Sequence, residues 1–143
     1  ELINMFKSCC LNSDLDGKVL FTGKLSYNEM MQYTMNADVG VTLDKNTNIN
    51  YELSLPNKLF DYIKAAIPVL SSDLVEIKKV INEYQIGTII NDHHPLTIKN
   101  GLDSLLNNEK QRQIYIENTK IASKQLSWEK EVIELVKVYE KLK

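Results

Sequence analysis

The stretch SLPNKLFDYIKAAIPVL, Ser54 to Leu70, reads as a polar helix start, an apolar helix, a stop and a short apolar run. Leu59, Phe60, Ile63 and Ile67 have the spacing of a helical stripe that faces a core, while Ser54, Asn57, Lys58 and Asp61 share another face at the amino end. The helix is expected to end near Ala66 and to feed a strand around PVLSS. Spacing alone favours Lys58 and Asp61 as an i, i+3 surface ion pair worth about 0.2 to 0.5 kcal/mol. The competing reading is an anion site. Ser54 and Asn57 flank a helix start that can cap its own N–H groups or offer them, with the positive end of the helix dipole, to a phosphate.

Working outward, the same alternation repeats. LDGKVLFTG suits a strand that ends at Gly23. SYNEMMQYTMNAD follows as a helix, with Ser26 and Glu29 at capping-box spacing and Met30, Tyr33 and Ala37 turned inward. VGVTL, Val39 to Leu43, is a second strand that opens into the asparagine-rich loop DKNTNINYE. Beyond the opening stretch, DLVEIKKVINEY places Leu74, Ile77, Val80 and Ile81 on one helix face, and IGTII is a fourth strand. Short, continuously apolar strands linked by helices predict an α/β fold, a parallel sheet covered on both faces.

From about residue 95 to 143 the pattern is helical. In the last segment Trp128, Val132, Leu135, Tyr139 and Leu142 form one narrow apolar stripe, expected to dock on the domain's own core rather than on a partner helix. At the other end Leu2, Ile3, Phe6, Cys9 and Cys10 recur at helical spacing, and no methionine precedes them. The chain therefore reads as a piece of a longer protein.

With 143 residues, 43% of them hydrophobic, the chain has the size and apolar content of one globular domain. Its 17 basic and 19 acidic residues give a net charge of -2, which excludes general attraction to nucleic acid or an anionic membrane. Any anion site has to be local. Neighbouring Cys9 and Cys10 fall outside ordinary disulfide geometry and read as reduced thiols. No apolar run approaches the roughly 20 residues of a membrane span, and ELINMFKSCC lacks the pattern of a signal peptide, so a cytoplasmic location is expected.

Ligands of open parallel sheets bind beyond the carboxyl ends of the strands. TGKLS, DKNTNINYELS and SSD are the three loops placed there. His93 and His94 in NDHHP lack partners at metal-ligand spacing and read as solvated. The sequence has no G-x-S-x-G elbow, no Walker lysine and no G-x-G-x-x-G. No catalytic machinery is visible in it.

Taken in order, VLFTGKLSYNEMMQYTMNADVGVTL, LPNKLFDYIKAAIPVL, IGTII and LSWEKEVIELVKVYEKL resemble the carboxyl-terminal domain of GT-B glycosyltransferases of the group 1 (family 4) type. The resemblance covers nearly the whole chain. It implies one partial Rossmann-like donor-binding domain over residues 1–143, lacking its first strands, with a helical tail from about 95. It implies the transfer of a sugar from a nucleotide diphosphate to an acceptor in saccharide or glycoconjugate synthesis. The resemblance further implies that Asp61 takes the family's ribose-binding position, that Ser54, Asn57 and Lys58 lie by the diphosphate, and that Gly23, Lys24 and Leu25 border the nucleobase through their main chain. No cofactor or metal is implied, because helix dipole and basic side chains meet the charge of the leaving diphosphate.

The implied partners are the nucleotide-sugar donor and the amino-terminal acceptor domain of the same parent, with peripheral membrane association of that parent and self-association through an open sheet edge as further expectations. Three departures stand out. Eight residues before Asp61, where the family has a first acid, stands Leu53, with Glu52 one place off. Ala66 replaces the glycine that ends the helix, which predicts strain or a different cap. The family's arginine–lysine pair is absent, so the chain alone is expected to be inactive. A receiver-type signalling module and a GT-B sugar-nucleotide epimerase are the alternatives; the receiver lacks its acidic pair and its lysine. A non-catalytic scaffold of the same fold is a third.

Overall fold

A computed structural model of the chain describes residues 2–11 and 13–141. It falls into two compact units, Glu1–Met30 and Met31–Lys143. In the first, helix α1 spans Leu2–Leu11, and Leu2, Ile3 and Phe6 on its apolar face are exposed. The strand expected at VLFTG does not form. A strand exists only where a neighbour takes its N–H and C=O groups, and residues 19–25 enter no ladder, with Val19 and Leu20 exposed.

Helix α2, Tyr27–Met35, starts as its sequence predicts. The Ser26 N–H donates to Glu29 Oε2 at 2.9 Å, and the Glu29 N–H reaches back to Ser26 Oγ at 3.4 Å. These are the two reciprocal bonds of a capping box. The Ser26 hydroxyl, which donates to Glu29 Oε2 at 2.6 Å, and the Ser26 N–H together hold the Glu29 carboxyl below its ordinary pKa. The buried residue of this helix is Met31, whereas Tyr33 and Ala37 are exposed. The helix ends at Met35, before Ala37 can join its inner face.

In the second unit strands β1 (Gly40–Thr42), β2 (Val69–Ser72) and β3 (Gly87–Ile90) form a parallel sheet in the order β1-β2-β3. Between them lie α3 (Ile49–Glu52), α4 (Asn57–Lys64) and α5 (Val75–Tyr84); α6 (Pro95–Leu106), α7 (Glu109–Gln125) and α8 (Trp128–Glu140) follow. Successive residues of a strand point to opposite faces, and β2 divides the core accordingly. Val69 joins Leu59 and Ile63 of α4, Ile77 and Ile81 of α5 and Ala122 of α7. Leu70 joins Ile90 and Leu105 of α6 on the other side. The expected parallel sheet with helices on both faces is thus present, with three strands among the described residues.

The end of α4 resolves the problem posed by Ala66. Its φ is 58°, its N–H bonds to Ile63 O at 3.1 Å, and the Ile67 N–H bonds to Tyr62 O at 3.2 Å. This is the Schellman arrangement, with alanine in the left-handed position that glycine usually fills.

Helix α8 departs from expectation. Trp128, Leu135 and Tyr139 are 68%, 45% and 64% exposed, so the stripe does not dock on the core. Helices α4 to α7 already supply both core clusters, and a seam this narrow adds nothing to them. Leu142, the last residue of the expected stripe, lies outside the described residues. No helix among the described residues is long and apolar enough to cross a membrane.

Candidate functional site

The carboxyl ends of the strands and the start of α4 bring several polar side chains together. At the exit of β1 the buried Thr42 hydroxyl donates to Asp44 Oδ2 at 2.9 Å, and Lys58 Nζ lies 2.9 Å from the same oxygen. Lys58 therefore pairs with Asp44, a partner that helical spacing does not offer. Burial alone would raise the Asp44 pKa, but the hydrogen bonds from Lys58 and Thr42 outweigh it and hold the carboxyl below its ordinary range. An ammonium has three N–H donors. Lys58 donates one of them to Asp44.

Pro56 occupies the N-cap of α4, and no side chain caps the helix. Ser54 does not serve as a cap: its hydroxyl donates to Tyr51 O at 3.2 Å and closes the turn after α3. Asn57 is the first helical residue and is exposed. The first N–H groups of a helix have no partner within it, so this uncapped start presents donors and the positive end of the helix dipole beside Lys58. Asp61 follows one turn along, half-buried. Upstream, Glu52 ends α3 and Leu53, at its C-cap, is exposed.

Gly23, Lys24 and Leu25 belong to the first unit. Gly23 takes φ 69° in irregular chain, and it lines a cavity of about 410 Å³ together with Ile3, Lys7, Phe21 and Lys24.

The loop after β3 adds a residue that sequence reading left in solvent. His93 is half-buried, and its Nε2 lies 2.9 Å from Ser72 Oγ at the end of β2 and 3.2 Å from Leu43 O at the exit of β1. Its neighbour His94 caps α6, its Nδ1 accepting from the Leu96 N–H at 3.3 Å. The signal for His93 was its place three residues past an apolar strand, where the rule of the carboxyl edge applies as much as in the other loops. Ser71, in register with Thr42, has a buried hydroxyl with no partner among the described residues. Among those residues no group of three or more His, Cys, Asp or Glu is placed to hold a metal ion.

A family model described as "Glycosyl transferases group 1" matches residues 4–122. An uncharacterized glycosyltransferase from Methanocaldococcus jannaschii is 25% identical over 130 residues, which cover 90% of this chain and 32% of that protein. Among solved structures, a sucrose-phosphate synthase from Thermosynechococcus elongatus matches with a TM-score of 0.79 over 97% of this chain and 34% of its own, at 15% identity. That likeness is one of GT-B fold. The chain spans about a third of the length of these relatives.

Proposed function

Because the chain belongs to the group 1 glycosyl transferases, we propose that it forms the donor half of an enzyme that moves a sugar from a nucleoside diphosphate to an acceptor. The observation that carries this reading is Lys58, held by Asp44 at the uncapped start of α4 beyond the carboxyl end of β1. A diphosphate set there meets main-chain N–H groups, the helix dipole and an ammonium. Asp61, one turn along, accepts hydrogen bonds from the ribose diol. As the bond between the sugar's anomeric carbon and the diphosphate breaks, negative charge gathers on the leaving oxygen. The helix start and Lys58 stabilise that charge without having to reorganise. The reading calls on no metal ion for this task, and it assigns the acceptor to a separate domain. Family membership sets the receiver reading aside.

Titrating the chain with UDP and GDP by calorimetry, with and without EDTA, tests the site. One of the two nucleotides is expected to bind, unaffected by the chelator, with Lys58→Ala and Asp61→Ala each weakening it about tenfold, in keeping with a lost charge-assisted hydrogen bond. If neither nucleotide binds at high millimolar concentration, or if Asp61→Ala leaves affinity unchanged, the assigned site is wrong.

A further inference from the structure

The geometry points to His93 as a positioning residue for the donor diphosphate, acting through the Leu43–Asp44 segment on Lys58. The inference rests on the donor-site reading and adds a residue to it. The β1–β2 ladder ends at the pair Thr42 and Ser71, so the chain that carries Asp44 leaves the sheet without a further strand bond. His93 supplies the next tie. Its Nε2 meets Leu43 O at 3.2 Å and Ser72 Oγ at 2.9 Å, and His93 itself hangs from the end of β3. One ring nitrogen thus links the exits of all three strands.

A carbonyl oxygen can only accept, so the tautomer with hydrogen on Nε2 satisfies Leu43 O, and the same hydrogen can be shared with Ser72 Oγ. The other tautomer would leave the Leu43 carbonyl facing a lone pair. With Leu43 O fixed, the adjoining peptide fixes Asp44, which is also held by the Thr42 hydroxyl. Asp44 in turn fixes Lys58 Nζ. His93 touches neither Lys58 nor the helix start in this scheme; it decides where the carboxylate that holds Lys58 stands.

The test is UDP and GDP calorimetry on the chain and on His93→Ala, His93→Met, His93→Gln, Lys58→Ala and the His93→Ala/Lys58→Ala pair, with circular dichroism and thermal unfolding on each. Methionine fills the ring's volume without a donor and stands in should the alanine variant not fold, whereas the glutamine amide can donate. Alanine and methionine are expected to weaken nucleotide binding about fivefold, glutamine to restore most of the loss, and the alanine change to add nothing once Lys58 is gone, as for residues acting through one contact. The proposal is overturned if affinity stays within twofold of the parent in the folded variants. It is also overturned if glutamine fails to rescue, or if the loss is the same with and without Lys58, which marks a general structural role. Absence of binding to the parent chain refutes the donor-site reading instead, and the inference with it.

Discussion

Ala66 sits at φ 58°, a conformation in which the Cβ of an L-residue crowds the following carbonyl. The Schellman bonds through Ile63 O and Tyr62 O keep it there, so the strain is borne by the fold rather than relieved. Ala66→Gly is expected to stabilise the chain by about 1 kcal/mol, less a few tenths for the freer unfolded chain, read as a rise in the urea midpoint with the slope unchanged. A fall in the midpoint would show that the left-handed turn is not strained. Lys58 teaches a different lesson at the same scale. Its nearest acid by helical spacing is Asp61, yet its carboxylate partner at 2.9 Å is Asp44, brought in by the loop between β1 and α3.

Among the elements, β2 is central: Val69 and Leu70 each anchor one core face, and both are fully buried. Its pairing with β3 depends on Gly87, where a Cβ would overlap the Val69 carbonyl. The glycine is needed for close backbone approach. Gly87→Ala therefore has to push the two strands apart, and it is expected to cost about 3 kcal/mol or more, measured by chemical unfolding. A loss under about 1 kcal/mol would mean that β3 can shift without harm. Because β3 also carries the loop to His93, loosening it is expected to reach the candidate site.

At the scale of the whole molecule, α8 leaves its apolar stripe in solvent. Trp128 is the only tryptophan in the chain and is 68% exposed, so its fluorescence reports on this helix alone. Emission is expected at the fully hydrated wavelength, open to acrylamide quenching and independent of protein concentration in dilute solution. A blue-shifted, protected tryptophan would mean that another surface covers the stripe. The open edge of β1, which pairs only with β2 among the described residues, is a second unsatisfied surface of the same kind.

Periodicity and capping are local, and the sequence by itself determined what depends on them. Examples are the α/β alternation, the Ser26–Glu29 box and the core stripe of Leu59, Ile63 and Ile67. An apolar run such as VLFTG is compatible with a strand, but a ladder needs a second chain segment, and no local pattern shows whether one is there. The partner of Lys58, the three-way tie at His93 and the exposure of α8 were likewise decided only by tertiary structure. Each joins or separates residues far apart in the chain, and ion pairs and side-chain hydrogen bonds form with whatever the fold brings within about 3 Å.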